Sequence, residues 1–210
     1  MQNWSQLWLQ YRPIEDKQAV PFLQTVSIND FDANTPILQN ALQELERGLK
    51  GMLGVNPTLC NTNDATLRIQ RLVPAKSCGR EQCHESDLQS VGTANSSCCV
   101  VSGSYHIKES QGRLTLSASD ESGVLYGIFE ILRRVALVQS FTNVDYAQTP
   151  DNELRMLNHW DNVDGSIERG YSGNSFFFEE RDIVLNERIV DYARIVASVG
   201  INAVVVNNVN

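Results

Sequence analysis

Apolar residues recur along this chain with two different periods, and the alternation between them lays out most of its elements. Pro36, preceded by Thr35 as a candidate N-cap, opens a segment in which Leu38, Ala41, Leu42, Leu45, Leu49, Met52 and Leu53 fall on one helical face, with Gly54 as the stop. A second helical stripe runs through Val124, Leu125, Ile128, Ile131, Leu132 and Val135. Ser122 is its candidate cap, and Arg133 and Arg134 lie near the C-terminal end, where cations suit the helix dipole. A third comprises Ile189, Ala193, Val196 and Ala197 and stops at Gly200. Strands show the period of two: Leu67 and Ile69, then Tyr105 and Ile107, then Leu114, Leu116 and Ala118, with Gln111-Gly112 between the last two as a hairpin turn. Residues 7–11 read as a short edge strand and residues 20–26 as a further extended segment of the same sheet.

The order is strands, helix, strands, helix, which predicts an α/β fold with a mixed sheet and helices packed on it over residues 1–150. Within the second helix, Gly127 is expected to let the helix approach the sheet closely, with Tyr126 in the core. A stretch at 139–153 containing Pro150 reads as a linker to a second unit, residues 151–210. There Ile201-Asn202-Ala203-Val204-Val205-Val206 forms a nearly continuous apolar run, the pattern of a parallel strand buried on both faces. Such a strand needs a further partner, so the sequence is expected to be part of a longer protein. Residues 74–97 are polar and without period, a long surface loop.

Composition narrows the function. With 210 residues and 42% apolar content the chain can bury an ordinary core, and its formal net charge of −8 argues against nonspecific nucleic-acid or anionic-membrane binding. A local arginine can still bind a carboxylate within an acidic protein. Neither an apolar run of membrane-spanning length nor an N-terminal signal pattern is visible, and a cytoplasmic location is expected. The five cysteines are Cys60, Cys78, Cys83, Cys98 and Cys99, an odd number without framework spacing, which fits a reduced chain; the Cys-rich loop at 77–99 lacks paired CxxC knuckles, and no metal or cofactor is expected.

Chemistry concentrates in Arg155-Met156-Leu157-Asn158-His159-Trp160-Asp161-Asn162-Val163-Asp164-Gly165-Ser166-Ile167-Glu168-Arg169-Gly170-Tyr171, where no helix or strand period is evident. Two readings stand side by side: an irregular surface turn punctuated by Asn-x-Asp-Gly, or a loop facing a polar ligand. The run from Asn158 to Tyr171 resembles the signature of glycoside hydrolase family 67, the bacterial and fungal α-glucuronidases. Trp8-Leu9-Gln10-Tyr11 resembles that family's opening element. Gly123-Val124-Leu125-Tyr126-Gly127-Ile128-Phe129 resembles the N-terminal domain shared by the family and, more loosely, by hexosaminidases.

The resemblance implies a hexosaminidase-like N-terminal domain followed by the first elements of a (β/α)8 barrel. The implied activity is inverting hydrolysis of the α-1,2 bond between (4-O-methyl)glucuronic acid and xylose in xylooligosaccharides. The catalytic acid and base are then expected beyond residue 210, so Asp161, Asp164 and Glu168 receive no catalytic assignment. Trp160 is the candidate for direct sugar contact, its indole offering an apolar face and a polar edge. His159, Asp161, Asn162, Glu168 and Arg169 are candidate pocket residues, and Asn207, Asn208, Val209 and Asn210 follow the strand whose carboxyl end would border a barrel site. The implied partner is a glucuronic-acid-bearing xylooligosaccharide, and a homodimer of the full-length protein is left open. A noncatalytic carbohydrate-associated module is the alternative.

Overall fold

The computed structural model describes residues 8–62, 64–73, 101–179 and 181–206. A six-stranded sheet dominates the first part: β1 (Thr25–Ile28), β2 (Thr58–Leu59), β3 (Leu67–Arg71), β4 (Tyr105–Ser110), β5 (Arg113–Ala118) and β6 (Asp145–Gln148), in spatial order β2-β1-β3-β5-β4-β6. The first four strands in that order are parallel; β4 runs antiparallel to both β5 and β6, so the sheet is mixed. Its apolar side carries Val26, Leu67, Ile69, Ile107, Leu114 and Leu116, all essentially fully buried. Helices α1 (Pro36–Leu53) and α2 (Glu121–Ala136) pack on that side and on each other through Leu38, Leu45, Leu49, Ile128 and Leu132. At about 1.5–3 kcal/mol for each large side chain withdrawn from water, this shared core is the main source of stability.

The helix of residues 36–53 has the bounds its periodicity predicts, ending at Gly54 in the left-handed region (φ 70°). The hairpin is also as expected: Gln111 and Gly112 both have positive φ, the two-residue turn that suits strand twist. Gly127 lies against Leu116, and a Cβ there would collide with the leucine side chain, so close helix–sheet approach is what the glycine provides. Tyr126 is only half-buried, its ring under the Arg155 guanidinium at 5.5 Å.

Four local expectations need correction. Residues 8–11 form no strand; Leu9 instead inserts beside Phe129 and Ile195, and side-chain burial, not sheet pairing, explains their apolar content. Residues 20–22 form a single 3-10 turn, with the strand confined to β1. The cap of α2 is Asp120, whose carboxylate accepts the Gly123 N–H at 2.8 Å and the Gly103 N–H at 3.2 Å; Ser122 lies within the first turn. Finally, residues 139–153 are not merely a linker, since β6 lies within them and pairs with β4; Tyr146 packs on Tyr105 and under Arg134, while Asp145, Ala147 and Gln148 are exposed.

The second part contains β7 (Met156–Asn158), a short β8–β9 hairpin (Phe178–Glu179 and Asp182–Ile183), α3 (Glu187–Ser198) and β10 (Ala203–Val205). β7 and β10 pair in parallel, with Met156 opposite Ala203 and Asn158 opposite Val205. The run at 201–206 therefore contains a parallel strand as expected, Ala203–Val205, but among the described residues that strand is half-buried rather than enclosed on both faces. The signature segment likewise begins in a strand, β7, where no period was evident.

Candidate functional site

The segment after β7 leaves the carboxyl end of a parallel strand pair. His159 N–H bonds Val205 C=O at 2.8 Å and Asp161 N–H reaches Val206 C=O at 3.3 Å, so the loop remains tied to β10 as it departs. Arg155 secures the opposite end of β7. Its Nε donates to Gly200 C=O at 2.5 Å and its Nη1 to Asn152 C=O at 2.6 Å, while Asn202 Oδ1 accepts the Arg155 N–H at 2.9 Å. With all these bonds made within the fold, Arg155 is a structural clasp between α3 and β7.

Residues 161–175 fold back in a compact, hydrogen-bonded turn. Asn162 is its organiser: its N–H donates to Ser166 C=O at 2.8 Å, and its Nδ2 donates to Ser166 Oγ at 2.9 Å and to Glu168 C=O at 2.6 Å. Asp164 accepts the Ser166 N–H at 2.9 Å and hydroxyl at 2.6 Å, bonds that hold its carboxyl below the usual range. Glu168 N–H returns to Trp160 C=O at 2.8 Å, and Glu168 itself sits at φ 55°, a left-handed conformation that costs a non-glycine residue energy and persists because the turn around it is overdetermined. The Glu168 carboxylate accepts the Ser172 hydroxyl at 3.2 Å, and hydrogen bonding to Glu168 pushes the Tyr171 hydroxyl up.

Beneath the turn lies an aromatic cluster. His159 Nε2 and Tyr192 Oη are 2.6 Å apart; the imidazole stands edge-on to Phe177 at 4.9 Å, and Phe176 and Phe177 both pack on Tyr192. Burial, followed by the nearby Asp161 charge, raises the Tyr192 hydroxyl above its ordinary value. Asp161 is buried (3% exposed) and accepts the Ser175 hydroxyl at 2.6 Å and the Phe176 N–H at 2.8 Å; its other oxygen is 3.9 Å from His159 Nδ1. Arg188 covers the outer face of Phe176 at 3.9 Å.

The candidate residues therefore separate by role. His159 and Asp161 support the loop from below. Asn162, Glu168 and Arg169, with Asp164 and Arg181, line an open polar groove of about 680 Å³, where an anionic or hydroxylated ligand finds both donors and acceptors. Trp160 stands beside this groove rather than in its wall, 49% exposed, with its indole available to a ligand. Asn207, Asn208, Val209 and Asn210 lie outside the described residues, as does the Cys-rich loop at 77–99. Sequence reasoning missed Tyr192, Ser175, Phe176, Phe177 and Arg181; the Phe176-Phe177-Phe178 run in a polar neighbourhood is the signal that could have found part of this set. Among the described residues no three His, Cys, Asp or Glu gather as a metal site, and no helix is long and apolar enough to cross a membrane.

A second layer of charge joins the two parts of the chain. Glu44 on α1, 3% exposed, accepts four hydrogen bonds: Arg194 Nε and Nη2 at 2.8 Å each, Arg47 Nη1 at 2.7 Å and Tyr11 Oη at 2.6 Å. Burial by itself would raise this carboxyl, but the bonds from Arg194 and Tyr11 outweigh it and hold the group below its ordinary value. Arg194 also donates to Asp191 at 2.8 Å. Trp8 Nε1 adds a bond to Ser198 Oγ at 2.8 Å.

Comparisons with known proteins bear on both parts. Residues 7–131 match the family model described as glycosyl hydrolase family 67 N-terminus, and residues 134–210 match the family 67 middle domain. A probable alpha-glucuronidase A of Aspergillus terreus is 35% identical over 209 residues, and the alpha-glucuronidase A of Aspergillus tubingensis is 32% identical over 212; each alignment takes in 97% of this chain and 23% of the relative. The chain thus spans about a quarter of the length of these curated relatives. Over 91 residues, 43% of this chain, a probable alpha-glucuronidase A of Neosartorya fischeri is 50% identical. Among solved structures, a family GH115 4-O-methyl-alpha-glucuronidase with specificity for decorated arabinogalactans superimposes with a TM-score of 0.55 at 17% identity, covering 86% of this chain and 24% of its own, a likeness of fold.

Proposed function

The chain belongs to glycoside hydrolase family 67, and from that premise we propose that it is the N-terminal domain (residues 1–150) and the start of the catalytic barrel (residues 151–210) of an α-glucuronidase. In this reading the full enzyme removes glucuronic acid, with or without a 4-O-methyl group, from the xylose of xylooligosaccharides. The observation that carries it is the position of the signature loop. Trp160 and the Asn162–Glu168–Arg169 groove extend from the carboxyl ends of two parallel strands joined through a helix, the end at which barrel enzymes and open α/β sheets place their ligands.

The chain's own residues supply recognition and support. Trp160 offers an apolar face to a pyranose ring. Arg169 and Arg181 place guanidinium groups beside the groove, where a uronic carboxylate finds charge-assisted donors; Glu168 and Asp164 present carboxylates that accept from sugar hydroxyls. An inverting hydrolysis also requires a carboxylic acid at the leaving oxygen and a carboxylate base about 6.5–9.5 Å away on the far side of the water. Asp161 is committed to Ser175 and Phe176 and serves neither role, which accords with an acid and base supplied from outside these 210 residues.

The test is an assay of the complete gene product, and of the 210-residue chain alone, for release of 4-O-methylglucuronic acid from aldouronic xylooligosaccharides. The expected result is turnover by the gene product only, with Trp160→Ala lowering kcat/KM at least about tenfold, the scale of one lost 1.4 kcal/mol contact. A gene product inert on every such substrate would leave the noncatalytic module as the better account.

A further inference from the structure

Helix α3 is gripped on two sides. Toward the first domain, Arg194 makes the two-pronged bond to buried Glu44 on α1, Ile195 packs beside Leu9 and Phe129 of α2, and Ser198 receives the Trp8 indole N–H. Toward the signature loop, Tyr192 bonds His159 at 2.6 Å and, with Phe176 and Phe177, fills the space under it. Tyr192 and Arg194 are two positions apart on one rigid helix, which turns them toward opposite sides. We infer that Glu44, a residue of the first domain with no place in the groove, is a positioning residue for the signature loop, acting through Arg194, α3, Tyr192 and His159.

The physical case is one of cost and geometry. A carboxylate buried at 3% exposure is retained at a net gain only when its bonds are complete, and Glu44 has four donors from three elements: the 8–11 segment, α1 and α3. An Arg–carboxylate fork fixes direction as well as distance, so it sets the rotation of α3 about its axis. That rotation decides where Tyr192 Oη lies, hence whether His159, next to Trp160, keeps its bond. The first domain thereby acts on the loop without touching a ligand. The inference rests on the loop being the ligand-facing element proposed above.

Amide hydrogen exchange on the complete gene product, without any substrate, tests it. In Glu44→Gln, exchange at the hydrogen-bonded amides of His159, Asn162 and Glu168 is expected to quicken about tenfold, while the β3, β4 and β5 amides keep their rates. Tyr192→Phe, which keeps the ring and removes the hydroxyl, is expected to quicken the same loop amides and leave α1 unchanged. Should Glu44→Gln not fold, Arg194→Lys replaces it, keeping the charge and losing the fork, with the same expectation. Loop amides that keep parental rates, or that rise only in proportion to the central strands, would overturn the inference and leave the glycosidase reading intact. An inert gene product with this coupling present would count against the glycosidase reading alone.

Discussion

Replacing Asp161 separates a supporting carboxylate from a solvent-facing one. Its Oδ2 takes both the Ser175 hydroxyl (2.6 Å) and the Phe176 N–H (2.8 Å), and only 3% of the residue is exposed. In Asp161→Ala both donors lose their partner where water has little access, and bonds to a charged group contribute about 1.5–3 kcal/mol each. The expected loss of stability is about 3–5 kcal/mol, somewhat below the simple double because the two bonds share one oxygen. Asp161→Asn keeps the shape and an oxygen at the same place, and neutral bonds have about half the strength of charge-assisted ones, so its loss should be about half as large. Chemical denaturation followed by tryptophan fluorescence, at fixed pH and salt, gives both numbers. If the alanine variant lost no more than the asparagine variant, or less than about 1 kcal/mol, the account of Asp161 as the internal anchor of the loop would be refuted.

Two further outcomes follow from particular contacts. Gly127→Ala drives a methyl into the flexible Leu116 side chain, and Gly123→Ala drives one into the rigid Ser104 carbonyl; thermal melts should show about 1–3 kcal/mol lost for the first and more for the second, even after the roughly 1 kcal/mol that alanine adds to helix propensity. Because the Glu44 carboxyl is held below its ordinary value in the folded chain, its contribution is fully present above the unfolded value near pH 4.5 and is lost as pH falls through the lower folded one; acid titrations of stability should therefore show the gap between the parent and Glu44→Gln narrowing below pH 4.5, and a gap constant with pH would contradict that picture.

What the sequence disclosed depended on how local the cause was. The α1 helix carries its own start, stripe and stop in Pro36, seven apolar residues and Gly54, and the Gln111-Gly112 hairpin is specified by its turn, so both are readable from a window of a few residues. Asp120 and Ser122 are both competent caps two positions apart; the choice falls to Asp120 because it also serves the Gly103 N–H, a partner from another segment. Strand β6 has a single inward aromatic, Tyr146, between exposed Asp145, Ala147 and Gln148, so its pairing leaves no period-two apolar trace. Within the site, the concentration of Asn162, Glu168 and Arg169 was legible from composition and resemblance. The partners that make His159 and Asp161 supports of the loop were not, because Tyr192 comes from α3, 33 residues from His159, and Ser175 from the far end of the turn, 14 residues from Asp161.

The parallel pairing of β7 with β10 also dictates an order of assembly. The β4–β5 hairpin closes over two residues, and every strand of the six-stranded sheet is present once Gln148 has been made. By contrast, among the described residues β7 pairs only with Ala203–Val205, which arrives after the β8–β9 hairpin and α3 have been synthesised. Closing so long a loop is slow, and during that interval Met156 and Leu157, exposed even in the finished pair, belong to a strand with a bare hydrogen-bonding edge. While residues 158–203 are being made, the interval in which the signature loop forms, the nascent chain is open to edge-to-edge association, so expression at lower temperature should improve yield by giving β10 time to dock.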